Sequence, residues 1–119
     1  MNKNALIIDN DNNVISVLKS ILEFNEFMVE IAEEISSLDV LLESNNPDIV
    51  IAEIMYPNLN VLDLAYQLSD KGIPMVVIGI KTLGSDERKA LFCNQVPFLQ
   101  KPISPVILIE KVKELVNET

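Results

Sequence analysis

Residues 48–53 read Asp48-Ile49-Val50-Ile51-Ala52-Glu53, four apolar residues between two carboxylates. Three of the four are β-branched, and no polar residue interrupts them. Such a run predicts a strand over 48–52 buried on both faces, as in a parallel sheet covered by helices. Four more runs of this kind flank it: Asn4–Ile8 (NALII), Phe27–Ala32 (FMVEIA), Pro74–Ile80 (PMVVIGI) and Val96–Leu99 (VPFL). Pro97 has no N–H to give to a ladder, which places the fifth strand at a sheet edge.

Helical spacing fills the gaps. Val14, Val17, Leu18, Ile21 and Leu22 predict a first helix, capped by Asp11 or Asn12. Ile35, Leu38, Leu41 and Leu42 predict a second, ended by Asn45, Asn46 and Pro47. Val61, Leu62, Leu64, Ala65 and Leu68 give a third, stopped by Gly72, and Ser85–Phe92 gives a fourth. Ser104 caps a fifth, with Pro105 at its first position and Ile107, Leu108, Val112 and Leu115 on one face. Five βα units with right-handed crossovers predict a flavodoxin-like, doubly wound α/β fold: a five-stranded parallel sheet with helices on both faces.

The chain has 119 residues, enough for a single domain over 1–119. A chain this long buries roughly two-thirds of its unfolded surface. No apolar run is long enough to cross a bilayer, and Met1-Asn2-Lys3-Asn4 opens no signal peptide. The expectation is a cytoplasmic protein without a membrane partner. Cys93 is the only cysteine and is expected to be a small buried hydrophobe. The net charge of −9 disfavours direct nucleic-acid binding. The absence of histidine removes the commonest general base and transition-metal ligand, but leaves an all-oxygen magnesium site open. Gly72, Gly79 and Gly84 form no phosphate-binding G-x-G, and no nucleophile elbow or Cys/His metal spacing occurs. These features do not describe an enzyme.

In doubly wound sheets, ligands bind beyond the carboxyl ends of the strands, where strand order reverses. The polar residues at those ends are Asp9, Asn10 and Asp11 after the first strand and Glu53 after the third. Gly79 to Lys81 follow the fourth, and Lys101 follows the fifth. Asp9 and Glu53 should therefore meet in one polar pocket. Asp11 fits either a metal neighbour or a helix cap.

Four segments in order carry a family resemblance. They are Leu6-Ile7-Ile8-Asp9-Asn10-Asp11, Pro47 through Pro57, Ile73 through Ile78, and Phe98-Leu99-Gln100-Lys101-Pro102-Ile103. Together they resemble the response-regulator receiver domain of bacterial two-component systems, over the whole chain. The resemblance implies a Mg²⁺ held by two acidic residues after strand one and by the phosphoacceptor carboxylate. It implies phosphoryl transfer from a histidine kinase to that carboxylate and a lysine on the phosphoryl oxygens. It also implies a hydroxyl after strand four that moves to the phosphoryl group, followed inward by an aromatic residue on strand five. Metal and lysine would neutralise the equatorial oxygens of a loose transition state.

Four positions depart from that pattern. The phosphoacceptor position holds Glu53, whose extra methylene sets its carboxylate roughly 1.5 Å deeper. A displacement of about 1 Å costs on the order of a hundredfold in rate. Asn10 replaces one acidic metal ligand, Gly79 replaces the hydroxyl, and Phe98 replaces a switch tyrosine. Asp9 and Lys101 remain. Phe98 fits a core residue as well as a switch. The metal ligands implied by the resemblance are Asp9, Glu53 and the Met55 carbonyl, a weak magnesium site with no other cofactor. Met55, Tyr56 and Pro57 are expected to form a loop over the pocket.

Glu53 has two readings. In one, it reaches Lys101 and mimics a phosphorylated aspartate through a charge-assisted bond worth ~1.5–3 kcal/mol. In the other, it is a silent polar residue in a pocket that has lost its chemistry. Both make the chain an atypical receiver, or pseudo-receiver, that signals by protein–protein contact without aspartate phosphorylation. The alternative is a working receiver that binds magnesium and accepts phosphate. The resemblance implies a protein partner, a histidine kinase or a downstream signalling protein, on the face of helix four, strand five and helix five. Pro97, Val106 and Ile109 would contribute to it. Asp86, Glu87, Arg88 and Lys89 are expected to form a solvated face, and the chain to be a monomer or weak homodimer.

Overall fold

In the computed structural model, residues 3–117 are described, apart from 33, 35, 37 and 81 and the side chains of 44 and 45. Strands and helices alternate: β1 (Lys3–Ile8), α1 (Asn12–Phe24), β2 (Phe27–Ile31), α2 (Leu38–Asn45), β3 (Ile49–Glu53), α3 (Val61–Lys71), β4 (Met75–Gly79), α4 (Ser85–Cys93), β5 (Phe98–Gln100) and α5 (Pro105–Val116). All pairings are parallel, and the strand order is β2-β1-β3-β4-β5. This is the flavodoxin-like, doubly wound arrangement. The order reverses between β1 and β3, so the carboxyl ends of those two strands frame a crevice.

Unbroken apolar strands divide their side chains between two cores. Leu6, Ile8, Val50, Ala52 and Val77 face Leu42, Leu64, Leu68 and Leu91 of α2, α3 and α4. Ala5, Ile7, Ile49, Ile51 and Ile78 face Leu18 and Leu22 of α1 and Leu108 and Val112 of α5. This two-sided burial is why β1, β3 and β4 show no polar alternation.

The caps behave as their chemistry requires. Asp11 is the N-cap of α1, and its carboxylate accepts from the N–H groups of Asn13 and Val14 at 2.9 and 3.4 Å. Gly72 ends α3 with φ of 72°, a left-handed turn that glycine adopts without penalty. Ser104 caps α5 ahead of Pro105.

Several expectations are corrected. Cys93 is exposed, because α4 turns only Leu91 fully inward and its last residues, Phe92 and Cys93, face solvent. Val17 and Ile107 are also exposed, each one residue off the buried stripe of its helix; Ile15 and Ile109 pack there instead. The fifth strand starts at Phe98, since Val96 still donates to Leu91 of the α4 end and Pro97 lies before the ladder. β5 is at the sheet edge, as the missing N–H of Pro97 predicts. Asp48 precedes β3 and accepts from the Asn4 N–H at 2.7 Å, tying the starts of β1 and β3. Ile35 and Lys81 lie outside the described residues. Among those described, no helix is long and apolar enough to cross a membrane.

Candidate functional site

Ile8 and Ala52 are register partners on adjacent strands, so the next residues, Asp9 and Glu53, emerge side by side at the crevice. Both are buried, at 1% and 6% exposure, and they are the buried charged residues of the described chain. Such burial is costly unless each carboxylate is paired. Lys101 supplies the pairing from the far end of β5. Its Nζ donates to Glu53 Oε1 at 2.7 Å and to Asp9 Oδ2 at 3.2 Å. The lysine backbone is pinned as well, with its N–H donating to the Gly79 carbonyl at 2.7 Å.

The remaining carboxylate oxygens are taken by backbone. Asp9 Oδ1 accepts from the Asp11 N–H at 2.9 Å, and Glu53 Oε2 accepts from the Met55 N–H at 3.1 Å. Each of the four oxygens therefore faces an N–H donor. Burial alone pushes the Lys101 ammonium pKa down. The hydrogen bonds and charges of Glu53 and Asp9 outweigh it, so the pKa is raised above the ordinary 10.5.

The other anticipated residues fall in different places. Asn10 is exposed, outside the triad. Met55 is exposed at the rim, at 66%. Tyr56, expected over the pocket, instead turns into the core, and its hydroxyl donates to the Ala32 carbonyl at 3.2 Å. Gly79 ends β4 beside the site, and Phe98 is half-buried against it. Ile54 was not singled out from the sequence, yet its side chain lies against Gly79. The signal available was its place directly after Glu53 at a strand end.

Lys101 occupies one oxygen of each carboxylate, so a magnesium ion at Asp9, Glu53 and the Met55 carbonyl would have to compete with its ammonium group. Among the described residues, no group of three or more acidic, histidine or cysteine side chains converges on one point.

Residues 5–113 match the response regulator receiver domain. The chain belongs to that family. As a receiver it is similar, at 30% identity over 117 residues, to the response regulator MprA of Mycobacterium sp. (strain KMS). The alignment covers 96% of this chain and 50% of MprA. Identity to MprA of Mycobacterium bovis (strain BCG / Pasteur 1173P2) is 28% over 122 residues, covering 100% of this chain and 53% of that protein. The receiver thus spans about half the length of the curated relatives it matches. Its fold is that of a response regulator receiver domain protein (CheY-like) from Methanospirillum hungatei JF-1. There the TM-score is 0.87 and the identity 23%, over 99% of this chain and 96% of that one. A putative response regulator from Chloroflexus aurantiacus J-10-fl gives a TM-score of 0.86 at 21% identity, over 99% of this chain and 100% of that one.

Proposed function

We propose that this receiver is an atypical one, which signals through protein–protein contact without accepting a phosphoryl group at Glu53. The observation that carries the reading is the 2.7 Å bond from Lys101 Nζ to Glu53 Oε1. Both oxygens of Glu53 are engaged, one by Lys101 and one by the Met55 N–H, so the carboxylate is fixed in place. The negative charge and the lysine partner are already in place. This supports the phosphate-mimic reading of Glu53 over the silent one. Gly79 bears on the other half of the proposal: no hydroxyl stands there to follow a phosphoryl group, which supports a receiver that works without one.

The partner surface is the face of α4, β5 and α5, where a histidine kinase or a downstream signalling protein would dock. A groove of about 680 Å³ opens there, lined among others by Phe92, Pro97, Lys111 and Leu115. Phe92 is 84% exposed and Val106 63%, apolar area that contact with a partner would cover. Charge sets this half of the molecule apart: residues 1–70 hold 13 of the 18 acidic side chains but two of the nine basic ones. The module has no catalytic residue of its own in this reading, and its role is recognition.

Incubation with magnesium and acetyl phosphate followed by intact mass measurement tests the proposal. The expected result is an unchanged mass. A gain of one phosphoryl group, abolished by Glu53→Gln, would establish the competing reading of a working receiver.

A further inference from the structure

The two edges of the sheet are finished differently. β5 has three residues, with Pro97 directly before it and Pro102 two residues after it. A short strand between prolines gives an added strand little to pair with. β2, at the opposite edge, has five residues, and none is proline or lysine. The Ala32 N–H donates to the Ile7 carbonyl at 2.9 Å. Strand alternation turns the backbone of Met28 and Glu30 toward β1 in the same way. The N–H and C=O groups of Phe27, Val29 and Ile31 therefore point away from the sheet. Side chains alternate too. Phe27, Val29 and Ile31 pack toward α1 and α5, while Met28, 59% exposed, and Glu30 stand open on the other face.

Charge says what would cover this edge. Between Lys19 and Lys71 the chain has no basic residue. Glu23 and Glu26 precede β2, Glu30 lies within it and Glu34 follows it, all four exposed. Among the described residues, Glu23, Glu26 and Glu30 enter no ion pair. A second copy of the chain, at a net charge of −9, would bring the same carboxylates against them. We infer that β2 is a docking edge for an extended segment of a basic protein partner, which adds to the sheet as a strand outside β2. Its residues beside Met28 and Glu30 share their face, so lysine or arginine there meets Glu30. The residues between them lie on the face of Val29 and Ile31 and are apolar. Main-chain bonds supply affinity, and the alternation supplies selectivity. The inference goes beyond the proposed function and does not involve Glu53, so the mass experiment and the one below fail independently.

The test is NMR of the isotope-labelled protein titrated with a short, end-blocked peptide of alternating lysine and valine. At saturation, amide exchange at Val29 and Ile31 should slow by about tenfold or more, while Met28 and Glu30, already bonded to β1, change little. A peptide of alternating lysine and proline has the same charge but cannot form a regular ladder, and it should not bind. Val29→Pro removes an outward N–H and no bond to β1, so it should fold and lose binding. If it does not fold, Glu30→Lys at an exposed position decides, and should weaken binding about tenfold. Three results overturn the inference: Val29 and Ile31 amides that the lysine–valine peptide does not protect, equal binding of the lysine–proline peptide, or a Glu30→Lys variant that binds as the parent does. Protection of Val29 and Ile31 at high protein concentration without peptide also overturns it, since a second copy would then be the occupant.

Discussion

The triad of Asp9, Glu53 and Lys101 and the notch of Gly79, Ile54 and Phe98 occupy neighbouring strand ends but are built by opposite means. The triad is polar and held by directional bonds to four carboxylate oxygens. The notch is apolar and held by a volume that is full. In a receiver of the usual pattern, the resemblance implies that charge in the first region drives movement in the second. Here the first region has its charge built in, and the second has no hydroxyl through which to respond. The difference teaches that the two changes, a charge already present and a hydroxyl absent, lie on different strands and can be tested one at a time.

Breaking the triad at its centre should have the largest effect. Lys101→Met leaves two buried carboxylates facing each other without a cation. Loss of one partner from a buried pair costs about 3–5 kcal/mol. Urea unfolding of the variant should show a fall of that size, with an unchanged m-value if the same surface is exposed. A loss below about 1 kcal/mol would class the triad with weak surface pairs.

Glu53→Gln should be milder. Asp9 still neutralises Lys101, and the amide oxygen can accept the bond. Only part of a charge-assisted bond worth about 1.5–3 kcal/mol is lost, again read from denaturant midpoints. A variant that costs nothing would demote Glu53 to a silent residue.

The fold was largely legible, because burial on both faces writes uninterrupted apolar strands such as 49–52, and because Asp11, Gly72 and Ser104 have few alternative roles. The triad was legible for a different reason. Chain topology sends the residues at the ends of β1, β3 and β5 to one place, so Asp9, Glu53 and Lys101 could be named without coordinates. What was missed depends on angles finer than a periodic pattern resolves. Val17 and Ile107 stand one position off their helices' buried stripes, and Cys93 lies on a helix of nine residues with a single fully buried side chain. Tyr56 entered the core because a hydroxyl partner, the Ala32 carbonyl, waits there on a distant strand end. The close fit at Gly79 joins a bare α-carbon on β4 to two side chains, Ile54 after β3 and Phe98 on β5, and no one-dimensional spacing encodes it.

The measurement nearest to the central claim is the titration of Lys101 itself, followed through its Cε chemical shift. Its folded pKa is raised while the unfolded lysine keeps the ordinary value, so the triad's contribution is fully present below about pH 10.4. It is lost as the pH rises through the folded pKa. The account predicts a Lys101 midpoint above 10.5 that moves down in Glu53→Gln, with stability falling over the same alkaline window. A Lys101 that titrates at or below 10.5 in the parent would contradict it.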